Sequence, residues 1–305
     1  MKNFNKGTLT YHNYLESIVS AIPDLIFLVN EDGIYIEVFA NGKEALLYKP
    51  KEEIIGRHVT DFFNESLSEE FATVIHKALT SKTLQCIEYE LDISNKQEFY
   101  EARIMPTRIK ENGKQTVMVI VRDMTEIQRV KTKMHYLATH DTLTTLPNRT
   151  LIFEHLNHVI TSAKRSATRG ALLFIDIDGF KYINDTYSHK TGDTLLKDFA
   201  LRLIHITRES DIVGRLSGDE FLLILENAKD EKDILNTVEK IKTNLLKPFV
   251  IQGKQIEVTV SIGIACYPAN GENADQLIHA ADLAMYEVKK NGKNNYTFYK
   301  KEFSL

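Results

Sequence analysis

The run Ala171-Leu172-Leu173-Phe174-Ile175 is continuously apolar and stops abruptly at Asp176-Ile177-Asp178. Apolar residues without alternation read as a strand buried on both faces. Carboxylates at the end of such a strand need a reason, because a buried charge is costly unless it is paired or bound to metal, and hard cations such as magnesium take oxygen ligands. Taken singly, Asp178 is explained as a helix cap and Asp176 as half of an ion pair; the two together are explained less well that way. Further on, Ile212 to Leu216 and Phe221 to Leu225 are strand-like and are joined through Ser217-Gly218-Asp219-Glu220, a hairpin with acids at its tip. Ser217 and Gly218 are small enough for backbone amides to approach a phosphate, and Asp219 joins Asp176 on one cation if the hairpin lies beside the first strand. By itself the tip reads rather as a surface turn whose acids face water.

A chain of 305 residues suits two domains, and its 43% hydrophobic and 26% charged residues are those of a folded globular protein. The net charge of -4, from 38 Lys+Arg against 42 Asp+Glu, gives no basic field for nucleic acid or anionic lipid, so any nucleotide must be held by a local site. Cys86 and Cys266 lie far apart among apolar residues and read as two buried thiols, not as a disulfide or a metal cluster. No long apolar core follows Met1-Lys2-Asn3-Phe4-Asn5-Lys6, and the longest apolar stretches are strand-sized. A cytoplasmic protein without its own membrane anchor is expected.

Residues 8–125 read as short antiparallel strands around a pair of helices. Leu25 to Val29 and Ile34 to Phe39 flank the turn Glu31-Asp32-Gly33, and a short helix follows Pro50 and stops at Gly56. A longer helix is expected over Ser68 to Lys82, with Glu69 and Glu70 in its first turn and Phe71, Val74, Ile75 and Leu79 on one face. Strands over Leu84 to Leu91, Glu98 to Ile109 and Gln115 to Val121 complete the sheet. With Ala21-Ile22-Pro23-Asp24 at its start, Ile55-Gly56-Arg57 within it and Arg122-Asp123-Met124-Thr125 at its close, this stretch resembles a PAS domain. The resemblance implies a sensory or dimerising module. His58 and His76 read as solvent-facing or packed, not as haem ligands, and no flavin-adduct cysteine motif is present, so the sequence does not reveal a PAS ligand. Across residues 126–140, Ile127, Val130, Met134 and Leu137 repeat at spacings of three and four, which suits a signalling helix that pairs with its twin. An amphipathic helix against its own domain is the alternative.

Residues 141–305 resemble a GGDEF domain, the family of diguanylate cyclases, through several motifs in one order. These are Asp141-Thr142-Leu143-Thr144 with Leu146-Pro147-Asn148-Arg149; Phe174 to Lys181 with Asn184-Asp185; His189 and Gly192-Asp193; Arg215 with Ser217-Gly218-Asp219-Glu220-Phe221; Val260 to Ala265; and Ala284-Met285-Tyr286 with Lys289 and Gly292-Lys293-Asn294. The fold class implied is α+β: a PAS-like antiparallel sheet with flanking helices, a linker helix, and a palm-like domain of the polymerase and adenylyl-cyclase type. The resemblance further implies that Asp176, the carbonyl of Ile177 and Asp219 hold magnesium (or manganese), two ions per GTP site. Asp219 is implied as proton acceptor and Glu220 as support for the metal site. In the family two GTP molecules, one on each domain of a homodimer, condense to cyclic di-GMP and pyrophosphate.

Guanine offers adjacent N1-H and N2-H donors that one carboxylate accepts in parallel, a task that fits Asp193 and favours GTP over ATP. By resemblance Asn184 reads the remaining guanine edge, His189 lies against the substrate, Ser217 and Gly218 approach the phosphates, and Lys289 and Lys293 meet them. Arg208 and Asp211 stand at the spacing of the family's product-inhibition site; as an isolated pair they are an exposed ion pair worth little. Three positions depart from the pattern: Ser217 and Ser188 replace glycines, and Lys293 replaces an arginine and gives up its planar fork. Ser188 is harmless only where its backbone needs no positive φ. Two non-catalytic alternatives are a GGDEF domain that binds GTP or cyclic di-GMP to regulate a partner, and a PAS-driven interaction protein. Both leave the retained acids unexplained.

Overall fold

A computed structural model describes residues 17–18, 21–40, 49–93, 96–228 and 230–304 and divides the chain into two units, Met1–Thr132 and Lys133–Leu305. The reading of Met1 to Lys6 and a domain start at residue 8 lie outside the described residues.

In the first unit, strands β1 (Leu25–Asn30), β2 (Tyr35–Phe39), β3 (Gln85–Ile93), β4 (Lys96–Glu111) and β5 (Lys114–Asp123) form one sheet in the order β2-β1-β5-β4-β3. Every neighbouring pair is antiparallel. The short helix α1 (Lys51–Ile54) follows Pro50 as expected. Helix α2 (Glu65–Ser81) begins earlier than Ser68, because the Asn64 side chain accepts from the Leu67 amide at 2.9 Å and caps it there, so Glu65 occupies the first turn instead of Glu69 and Glu70. Its Phe71, Ile75 and Ala78 are buried against the sheet, a helical stripe closing the core. Cys86 is exposed, not buried: strand alternation turns Ile87 inward and Cys86 to the outer face.

Helix α3 (Thr125–Thr139) carries Ile127, Val130, Met134 and Leu137 as an exposed apolar stripe. In the second unit, helices α4 (Arg149–Ser166), α5 (Phe180–Tyr187), α6 (His189–Ile206), α7 (Glu231–Leu245) and α8 (Ala274–Lys290) surround a mixed sheet. That sheet joins β6 (Gly170–Ile177), β7 (Ile212–Ser217), β8 (Glu220–Leu225), β11 (Val260–Tyr267) and β12 (Tyr296–Phe298) in the order β12-β11-β6-β8-β7, while β9 (Phe249–Ile251) and β10 (Lys254–Ile256) make a separate hairpin. All eight residues of β6 are buried, as the unbroken apolar run requires. Leu173, Ile175 and Ile177 pack with Leu195, Phe199 and Ile241 on one face; Leu172 and Phe174 pack with Leu156, Ile160 and Leu277 on the other. Each large side chain so removed from water contributes roughly 1.5–3 kcal/mol, which fixes the strand and hence the position of the acids at its end.

Candidate active site

The end of β6 lies between two antiparallel neighbours, with Asp176 opposite Glu220 on β8 and Ser261 on β11. Ser217 closes β7 and Glu220 opens β8, so the turn between them is only Gly218-Asp219, with Gly218 at φ +48°. Ser217 Oγ donates to Glu220 Oε2 at 2.6 Å across this turn. The Ile177 amide donates to the Asp219 carbonyl at 3.3 Å, which draws the hairpin tip against the end of the central strand. Asp176 and Asp219, far apart in sequence, therefore meet.

Asp176 is 4% exposed and is the sole charged residue among the buried described residues. Its carboxyl stands raised at about 6 as the net of opposed effects: burial raises it most, the Lys289 ammonium, 2.7 Å from Oδ2, pulls it down, and the Asp219 and Glu220 charges raise it. Burial also raises Asp219. Among the described residues no three His, Cys, Asp or Glu side chains converge as a complete metal site. Two carboxylates beside a main-chain carbonyl make an all-oxygen set suited to a hard divalent cation, with positions left for phosphate or water oxygens, and such a cation relieves the repulsion between desolvated acids. The donor set therefore fits magnesium or manganese.

Asp178 is not a helix cap. Gly179 holds the capping position of α5 without a side-chain bond. Asp178 instead accepts from Thr259 Oγ1 and Ser261 Oγ, each at 2.7 Å, and from the Asn294 amide at 3.0 Å. It thereby ties β6 both to the β11 side and to the segment after α8, where Lys293 and Asn294 adopt φ of +63° and +48°. Lys289, in the last turn of α8, pairs with Asp176, while Lys293 is exposed. Asp282, also on α8, is an acid that the motifs did not single out; burial raises its carboxyl and the Glu220 charge adds to the effect.

The residues expected to read the base gather where α5 meets α6. Asn184 Oδ1 is buried and has no hydrogen-bond partner among the described residues. A Cβ on Gly192 would stand 1.9 Å from that oxygen, so glycine is what allows α6 to pack against Asn184. His189 opens α6 and is exposed, as is Asp193 one turn on. Ser188 joins the helices at φ +98° and ψ 153°, a conformation in which glycine is at ease and serine is strained. An orphaned acceptor on Asn184 beside an exposed carboxylate on Asp193 is an arrangement open to a ligand carrying N-H donors.

Arg215 braces the turn from behind. Its Nη1 lies 2.8 Å from Asp141 Oδ1, and its Nε and Nη2 donate to the Gly218 carbonyl at 3.0 and 2.7 Å. Asn148 in turn binds the end of α3 through the carbonyls of Thr139 and Ala138. Arg208 and Asp211 do not form the side-chain ion pair: the Arg208 amide donates to Asp211 Oδ2 at 3.1 Å and the Asp211 amide to the Arg208 carbonyl at 3.0 Å, closing a tight turn before β7.

Residues 138–295, more than half of the chain, match the family model for the diguanylate cyclase GGDEF domain, and residues 19–129 match the PAS fold. This chain belongs to the GGDEF family. Its GGDEF region is similar to that of the bifunctional diguanylate cyclase/cyclic di-GMP phosphodiesterase MucR of Pseudomonas aeruginosa, 41% identical over 175 residues, which are 57% of this chain and 25% of MucR. Among solved structures, the isolated GGDEF domain of TpbB from the same organism is 36% identical with a TM-score of 0.53, covering 54% of this chain and 96% of that one. The coiled coil and GGDEF domain of DgcB from Caulobacter crescentus, in complex with c-di-GMP, is 26% identical with a TM-score of 0.52, covering 57% and 93%. The match to MucR spans only a quarter of that protein's length.

Proposed function

We propose that the GGDEF domain of this chain is a diguanylate cyclase, condensing two GTP molecules into cyclic di-GMP with release of pyrophosphate. The observation that carries this reading is the meeting of two desolvated carboxylates, Asp176 and Asp219, beside the Ser217-Gly218 turn. In this reading Asp176, the Ile177 carbonyl and Asp219 hold two magnesium (or manganese) ions, with Glu220 in support. Bound there, the cations neutralise triphosphate oxygens and acidify the attacking hydroxyl. Asp219 takes the proton of the GTP 3′-hydroxyl, whose oxygen forms the new bond to the α-phosphorus of the other nucleotide as the bond to pyrophosphate breaks. Lys289 leaves Asp176 for the incoming phosphates, and Lys293 joins it. Asn184 and Asp193 select guanine through its donor edge, and His189 packs against the substrate.

Each domain binds one GTP, so the reaction needs a homodimer, which the exposed stripe of α3 supports. Arg208 and Asp211 form the product-inhibition site; an Arg grips guanine O6 and N7 with two hydrogen bonds. Residues 8–125 act as the PAS regulator, 126–140 as the signalling helix and 141–305 as the cyclase. No helix among the described residues is long and apolar enough to cross a membrane, and we place the protein in the cytoplasm. The test is to supply purified full-length protein with GTP and magnesium: cyclic di-GMP and pyrophosphate are expected, and Asp219→Asn is expected to abolish both while GTP binding persists. No product at high protein concentration would replace the cyclase with a nucleotide-binding regulator.

A further inference from the structure

The sheet and α2 of the first unit enclose a cavity of about 180 Å³. Its walls are aliphatic and aromatic. Tyr35 meets Phe27 and Phe62 edge-on at centroid distances of 5.4 and 5.7 Å, and Tyr89 meets Phe71 edge-on at 5.2 Å and stacks on Tyr100 at 5.6 Å. No Lys, Arg or His is among its described lining residues, and the one acid, Asp92, is exposed to solvent. The Tyr100 hydroxyl is engaged, donating to Glu98 Oε2 at 2.6 Å. Those of Tyr35 and Tyr89 make no hydrogen bond to any described residue, although Tyr35 is only 9% exposed and Tyr89 is half-buried. Burial raises both phenols above the ordinary tyrosine value, so each stays a protonated donor. Hydroxyls in apolar surroundings normally find a partner, and two that have none among the described residues, on side chains lining one cavity, offer donors to a ligand.

Size and charge narrow what fills it. An apolar cavity of about 150 Å³ takes a single benzene ring, so this one takes one ring with a small substituent and is too small for haem or a flavin. His58 has both ring nitrogens engaged, by Asp32 and Thr60, and neither it nor His76 lines the cavity. Among the described lining residues an anion would find no cation, and a cation no buried carboxylate. We infer that this cavity binds a neutral, single-ring or similarly compact apolar molecule whose one hydrogen-bond acceptor is received by the hydroxyls of Tyr35 and Tyr89.

Calorimetric titration of the full-length chain tests this with acetophenone, which offers an acceptor, against ethylbenzene, which has the same ring and none. Acetophenone should bind saturably at one site per chain, about threefold to tenfold more tightly than ethylbenzene. Tyr35→Phe with Tyr89→Phe should bring acetophenone to the ethylbenzene level and leave ethylbenzene unchanged. Because the hydroxyls have no hydrogen-bond partner among the described residues, thermal unfolding of the double variant should match the parent. The inference is overturned if neither compound binds saturably, if the double variant holds acetophenone as tightly as the parent, or if benzoate or phenyltrimethylammonium binds more tightly than acetophenone. The readout is binding alone, so the outcome is independent of whether the chain turns over GTP.

Discussion

Arg215 joins Asp141 to the tip of the acidic hairpin, holding the carboxylate at 2.8 Å with one nitrogen and the Gly218 carbonyl with two others. The two side chains are 11% and 23% exposed, so removing one leaves a largely desolvated charge behind. Arg215→Ala is expected to destabilise the second unit by roughly 3 kcal/mol, visible as a drop of several degrees in thermal unfolding. Burial by itself would raise Asp141; the hydrogen bonds from Thr144 and Arg215 more than offset it and hold the carboxyl below its ordinary value. A depressed carboxyl contributes stability above the ordinary aspartate range that is lost as pH falls through the lower folded value. Unfolding measured from neutral pH to well below the ordinary aspartate value of about 4 should therefore show an acid loss that Asp141→Asn flattens.

At Ser188 the gain should run the other way. A serine at φ +98° and ψ 153° costs roughly 1–3 kcal/mol of backbone strain, while its cap to the Thr191 amide, at 3.4 Å, is long and weak. Ser188→Gly is expected to raise stability by about 1–2 kcal/mol in urea unfolding, and Ser188→Ala to give no such gain.

Asp178 is expected to matter twice. Asp178→Ala leaves the hydroxyls of Thr259 and Ser261 and the Asn294 amide without their acceptor, a loss of roughly 3 kcal/mol. It also frees the segment bearing Lys293, so steady-state kinetics should show the KM for GTP rising more than kcat falls. Asp178→Asn, which keeps one acceptor oxygen, should fall between.

Gly192→Ala tests the base pocket without replacing a polar residue. The new methyl would have to displace Asn184 Oδ1, which stands 1.9 Å from where it would sit. The KM for GTP should rise about threefold to tenfold, the equivalent of one hydrogen bond, with circular dichroism unchanged.

What was legible in the sequence was local. The unbroken apolar run of β6 and the small-residue turn after β7 each announce themselves within a few residues, and the PAS-like strands follow from alternation and turns. The start of helix α2 is hidden because Asn64, not the later acids, supplies the cap. The exposure of Cys86 is hidden because apolar neighbours in a strand do not say which face a residue takes. The role of Asp178 is not legible for a different reason: its partners Thr259, Ser261 and Asn294 lie more than 80 positions away and converge only through sheet order. The pairings of Arg215 with Asp141 and of Lys289 with Asp176 are long-range in the same way. The strain at Ser188 is a matter of dihedral angle, which residue type alone does not report.

The burial of Asp176 sets a limit on how this fold can change. Among the described residues it is the one charged side chain wholly inside, and its carboxyl is lifted to about 6, burial being the largest cause. A neutral side chain of similar size would suit that position better by packing and solvation alone. Mutational drift toward greater stability there runs directly against the chemistry proposed for the site, so the residue's persistence in a lineage measures selection for activity, and its replacement would mark the point at which a copy of this domain had exchanged catalysis for some other use.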